Sequence, residues 1–158
     1  MPAVLFVCTA NICRSPIAMG IFADKAARTC PDQEWIVASA GTWAKAGRAA
    51  HEHSRLVLAQ RGLDIESHRS QPVSAELLAN FDLILTMEQG HKEALRIEFP
   101  DAAGRVFLIS EMAGYAYDVH DPIGFPLAEY EATYREIDRL LTKGWDRICQ
   151  LLHVAPAP

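Results

Sequence analysis

A cysteine, an arginine and a serine stand close together in Val4-Leu5-Phe6-Val7-Cys8-Thr9-Ala10-Asn11-Ile12-Cys13-Arg14-Ser15-Pro16. An apolar, β-rich run ends at Cys8, and Pro16 can open a helix. This order sets a thiol at the base of a loop whose amides converge and lead into a helix N-terminus. Orphan N–H groups and the helix macrodipole attract anions there. The same field favours a thiolate, the nucleophilic form of cysteine. A thiolate in a phosphate-binding loop suits one reaction class, phosphoryl transfer onto sulfur. Cys8 is the expected nucleophile, forming a cysteinyl-phosphate that splits one hard step into two. Arg14 is expected to clamp two phosphate oxygens with a planar fork that lysine cannot reproduce. The loop Cys8–Ser15, through the backbone of Thr9, Ala10, Asn11, Ile12 and Cys13, supplies the remaining donors. Asn11 stands mid-loop, where a left-handed backbone is expected and asparagine tolerates it. Ser15 has two readings: a donor to the Cys8 sulfur, or the N-cap of the first helix.

Strands and helices must position this loop. Short apolar runs at Ala3–Val7, Glu34–Ala38, Phe81–Thr86 and Arg105–Ile109 look like strands buried on both faces of a parallel sheet. Helical patterns separate them at Pro16–Arg28, Glu52–Arg61, Ser74–Asn80, Gly90–Ile97 and Leu127–Leu152. Within the last, Leu127, Tyr130, Tyr134, Ile137, Leu141, Ile148 and Leu152 form a core-packing stripe that Gly144 interrupts. This alternation predicts an open parallel α/β sheet with right-handed crossovers. In such sheets ligands bind beyond the carboxyl ends of the strands, where Cys8 falls. One domain over residues 1–154 is expected, with a frayed tail at 155–158.

The chain has 158 residues, half of them apolar, and a formal charge of -5, so neither nucleic acid nor an anionic membrane is an expected partner. Cys8, Cys13, Cys30 and Cys149 match no zinc spacing and suggest a reduced, cytoplasmic protein. Met1–Val7 reads as a first strand rather than a signal peptide, and no run is long enough to span a bilayer. His51-Glu52-His53 is the one hint of a metal cluster, read here as solvated at an exposed helix start. Neither metal nor cofactor is expected. A Walker-type nucleotidase is excluded for want of its glycine-lysine loop.

The string Val7–Pro16, lying directly after the first strand, resembles the signature loop of the low-molecular-weight protein tyrosine phosphatases of bacterial type. The resemblance implies a flavodoxin-like sheet of four strands in the order 2-1-3-4. It also implies that a serine after the second strand and a histidine tie the loop asparagine, and Ser39 and His68 match those positions. A leaving alkoxide or phenoxide needs a proton. Asp121, in Asp118-Val119-His120-Asp121-Pro122-Ile123-Gly124, resembles the family's general acid, and the following proline biases it to an extended backbone. An ordinary turn is the competing reading, and Asp118 is the second candidate acid. Cys13 is either a redox partner for Cys8 or a small buried side chain.

The chain departs from the family at several positions. Ala10 replaces a usual glycine, though no positive φ is expected there. Glu88 stands where the family has an aspartate. A usual pair of aromatics after the Asp-Pro is absent, so one wall of the aromatic slot is either missing or rebuilt by Phe125. Trp43 is the candidate second wall or a core-edge tryptophan. A bulky Ile12 beside the pocket suits a flat aryl ester, so protein phosphotyrosine is the expected substrate and inorganic phosphate the product. A threonine there would leave polar room, as in relatives that accept phosphoarginine. The alternatives are a phosphoarginine phosphatase, an arsenate reductase of the same fold, or a non-catalytic phosphopeptide-binding module. The reductase needs a cysteine relay, yet no cysteine lies between Cys30 and Cys149.

Overall fold

The computed structural model describes residues 1–155. Four parallel strands, β1 (Ala3–Cys8), β2 (Ile36–Gly41), β3 (Leu83–Thr86) and β4 (Val106–Leu108), form a sheet in the order β2-β1-β3-β4. This is the predicted order. The helices are α1 (Arg14–Thr29), α2 (Glu52–Ala59), α3 (Ala75–Leu78), α4 (Gln89–Glu98), α5 (Ile109–Met112), α6 (Leu127–Lys143) and α7 (Trp145–Leu152). A 3₁₀ turn at Pro100–Arg105 precedes β4. Short α5 and this turn carried no periodic signal in the sequence.

Every residue of β1 is buried, as its central place requires. Its side chains alternate between two cores. Val4, Phe6 and Cys8 face α1, α6 and α7, whereas Ala3, Leu5 and Val7 face Leu78, Phe81 and Leu95. Burying a side chain such as Phe6 contributes about 1.5–3 kcal/mol, so β1 anchors both layers.

Two expected elements are corrected. The second strand begins later than predicted and runs on to Gly41, opposite Cys8 in register. Its first half is not buried on both faces, because β2 is an edge strand paired only with β1. Trp35, expected in the strand, instead packs edge-on against Phe22, with ring centroids 5.4 Å apart. The long C-terminal helix breaks at Gly144. A Cβ there would lie 2.6 Å from Met112 Cβ and 2.8 Å from the Leu140 carbonyl, so only glycine lets α5 approach. The break turns Trp145 onto Phe22 at 5.3 Å. Of the tail expected to fray, 156–158 lies outside the described residues.

Candidate active site

Cys8 ends β1 and α1 starts at Arg14, so the intervening loop lies against the carboxyl edge of the sheet. The Cys8 Sγ is buried and 3.0 Å from Ser15 Oγ. Asn11, fully buried, adopts the expected left-handed backbone at φ 60°. Its Nδ2 donates to Ser15 Oγ at 2.8 Å and to Ser39 Oγ at 2.9 Å. Its Oδ1 accepts from the Gln71 backbone at 3.0 Å. Because Asn11 occupies a lone pair of Ser15 Oγ, the Ser15 proton is free to point at the sulfur. His68 Nε2 donates to the Asn11 carbonyl at 2.8 Å, which fixes the tautomer. Burial pushes this ring below the ordinary histidine value, so it stays neutral. The structure thus joins Asn11, Ser15, Ser39 and His68 in one network.

Ser15 is not the N-cap. Cys13 holds that position and Ser15 falls inside the first turn. The helix begins two residues earlier than predicted, because a proline needs no N–H partner in a first turn. Ala10 is not among the residues of positive φ. Gly41 closes the loop from the β2 side. A Cβ there would meet the Thr9 carbonyl at 2.4 Å and the Asn11 nitrogen at 3.0 Å.

The Arg14 guanidinium is 1% exposed. Its Nη1 donates to the Val119 carbonyl at 2.8 Å and lies 2.6 Å from Glu88 Oε2. Its Nη2 is 3.5 Å from Asp121 Oδ2. Its buried Nε has no hydrogen-bond partner. A buried cation is costly unless paired, and the two carboxylates supply that pairing. The orphaned Nε leaves this fork a donor for an anion.

The start of α4 forms the far side. Glu88 is its N-cap, in a capping box with His91. The Glu88 N–H donates to His91 Nδ1 at 3.2 Å, which places the ring proton on Nε2, 2.9 Å from Thr9 Oγ1. Burial lowers the His91 value as well. Sequence reasoning overlooked His91. Its signal was the three-residue spacing from Glu88 that a capping box requires. Asp118, the second candidate acid, instead accepts from the Gln89 N–H at 2.7 Å and caps α4.

Asp121 is 39% exposed, and its Oδ1 accepts from the Ile123 N–H at 3.1 Å. Phe125 N–H donates to the Pro122 carbonyl at 3.0 Å. The segment is therefore a turn, and that turn sets a carboxylate beside Arg14. Trp43 is 85% exposed, which removes the core-edge reading. Its backbone N–H donates to the Thr9 carbonyl at 2.9 Å, so its main chain stands next to the loop. Phe125 is 49% exposed and meets the His120 ring at 5.2 Å. Ile12 is partly buried against the core.

Cys13 is buried, with its Sγ 3.5 Å from the Tyr130 hydroxyl. Burial pushes its thiol up to about 11. His51 and His53 are half-buried, not solvated, because both rings pack on Tyr130, at 4.9 and 5.0 Å. No group of three potential metal ligands occurs among the described residues. None of the described helices is long and apolar enough to cross a membrane.

A fold with this sheet order, a cysteine at the end of the central strand and an arginine opening the next helix defines a known class. Residues 3–150 match the model of the low molecular weight phosphotyrosine protein phosphatases, and the chain belongs to that family. It is 34% identical to a protein-arginine-phosphatase of Geobacillus stearothermophilus, over 94% of this chain and 95% of that one. A low molecular weight protein tyrosine phosphatase from T. tengcongensis superposes with a TM-score of 0.86 at 39% identity, covering 93% of this chain and 99% of that one. A cysteine-to-serine mutant of the YwlE arginine phosphatase, carrying a phosphorylated active-site serine, superposes with a TM-score of 0.86 at 31% identity, covering 94% and 95%.

Proposed function

We propose that this chain hydrolyses phosphate monoesters, protein phosphotyrosine first among them, through a phosphate carried on Cys8. The observation that carries this reading is the buried Arg14 fork, with its unpartnered Nε, at the mouth of a loop that starts at the Cys8 sulfur. Cys8 attacks phosphorus as the P–O bond breaks, and Asp121 gives its proton to the departing oxygen. Asp121, now a base, takes a proton from water as that water attacks the cysteinyl-phosphate. The S–P bond breaks, Ser15 donates to the released thiolate, and inorganic phosphate leaves. Arg14 and the loop amides hold the equatorial oxygens throughout. The phosphorylated serine of the YwlE mutant supports covalent phosphate at this position.

Trp43 beside Thr9 and the apolar Ile12 favour a flat aryl group. Phosphoarginine is the second reading, supported by the similarity to arginine phosphatases. A cytoplasmic setting is part of the proposal, supported by four buried cysteines that form no disulfide.

The test is turnover of para-nitrophenyl phosphate with EDTA present, by wild type and Cys8→Ser together. Activity in the wild type alone is expected. Equal turnover by Cys8→Ser removes Cys8 from the mechanism. A phosphotyrosine peptide and a phosphoarginine peptide, compared by kcat/KM, then separate the two substrate readings.

A further inference from the structure

The first turn of α4 touches the phosphate loop at two separate points, and one reciprocal motif makes both contacts. In the capping box the Glu88 carboxylate accepts from the His91 backbone N–H, while His91 Nδ1 accepts from the Glu88 N–H. Each side chain has a second partner on the loop. Glu88 Oε2 holds Arg14 Nη1 at 2.6 Å. His91 Nε2 donates to Thr9 Oγ1 at 2.9 Å. The Thr9 carbonyl is already fixed by the Trp43 backbone N–H, and the His91 bond holds the Thr9 side chain.

We propose that His91 is a positioning residue for phosphoryl transfer, locking the Thr9 end of the loop and, through the capping box, the Glu88 carboxylate that aims Arg14. This inference rests on the phosphatase reading above. A helix cap alone requires only one partner for the Glu88 N–H. The Nε2 bond to Thr9 is surplus to capping, and it spans 82 residues of sequence. The ring is 7% exposed, and its Nε2 also lies 3.7 Å from Glu88 Oε2, so its geometry is set by the capping box and the Thr9 bond. It must be neutral, because a proton on Nδ1 would turn the acceptor of the box into a second donor facing an N–H. A displacement of about 1 Å in a transition-state donor lowers the rate on the order of 100-fold.

The conservative variant is His91→Gln, since glutamine at this box position also offers one acceptor and one donor. His91→Leu keeps bulk and removes both. With para-nitrophenyl phosphate, His91→Leu is expected to lower kcat and kcat/KM together by about 30–100-fold, while KM stays within threefold. His91→Gln is expected to recover at least tenfold of that loss. Thr9→Val should reproduce part of the loss, and the double variant His91→Leu/Thr9→Val should fall short of the product of the two single effects. A His91→Leu protein that folds and keeps kcat within twofold overturns the proposal, as does a Gln variant as slow as the Leu variant. If His91→Leu does not fold, Thr9→Val decides: kcat within twofold of wild type overturns it. Lack of turnover by the wild type itself would instead sink the phosphatase reading, so the two failures are separable.

Discussion

The loop from Cys8 to Ser15 and the segment from Asp118 to Phe125 meet at Arg14, yet they are built in opposite ways. Asn11, Arg14 and Ser15 are 0%, 1% and 0% exposed. Ser39, His68, Gln71, Glu88 and His91, from separate stretches of chain, tie that loop down. In the second segment Asp121, Ile123 and Phe125 are 39%, 46% and 49% exposed. Its bonds beyond Asp121 are local turn contacts, and its longer ties run from Asp118 to Gln89, from Val119 to Met87 and Arg14, and from Asp121 to Arg14. The contrast fits the two tasks proposed for these regions. Donors that stabilise developing charge must be fixed and dry before the reaction starts. A carboxyl that gives a proton to a leaving group and then takes one from water must meet solvent.

If the segment serves proton transfer alone, its variants should leave the loop intact. Asp121→Ala is expected to lower kcat by about 10²–10⁴-fold for phenols that are poor leaving groups. It should affect activated esters far less and stability by only about 0.5 kcal/mol, because Glu88 still pairs the Arg14 cation at 2.6 Å while Asp121 is the longer, more exposed partner. Equal slowing across a leaving-group series would count against Asp121 as the acid. Asn11→Ala probes the opposite region. It leaves Ser39, the Gln71 N–H and Ser15 short of partners and puts alanine at a left-handed φ. A stability loss of about 3 kcal/mol by urea unfolding is expected, with kcat down roughly 100-fold for all esters alike. A loss restricted to poor leaving groups would blur the distinction between the regions. Trp43→Ala, at the rim, is expected to raise KM for a phosphotyrosine peptide by about threefold to tenfold, with unchanged turnover of small esters. An unchanged peptide KM would remove Trp43 as a pocket wall.

Much of this was legible in the residues. The loop string carries its residues in adjacent positions, so Cys8, Arg14 and the left-handed Asn11 are placed by the sequence alone. Ser39 and His68 were reachable only through family resemblance, because nothing local to them points to Asn11. His91 was missed for a related reason. Its ring acts on a residue far away in sequence, and capping-box spacing alone resembles ordinary helix chemistry. The error at His51 and His53 is one of burial. Their helix start looks exposed, and only the fold brings Tyr130 beneath both rings. The shift of β2 has the same origin, since register with β1, not local propensity, decides where an edge strand ends.

The central place of β1 also governs what would happen if this site were moved elsewhere. With β2 on one side and β3 on the other, β2 itself and the segments after both neighbours reach across to the loop. Grafting Cys8–Ser15 onto another strand–helix junction would carry the proposed nucleophile, the arginine and the amides. It would leave behind Gly41, whose bare backbone admits the Thr9 carbonyl, together with the buried partners of Asn11 and the α4 brace. The transplant would keep the motif and lose its shape. A host for this chemistry must therefore supply three adjacent parallel strands, with a glycine at the end of one and a capped helix after another.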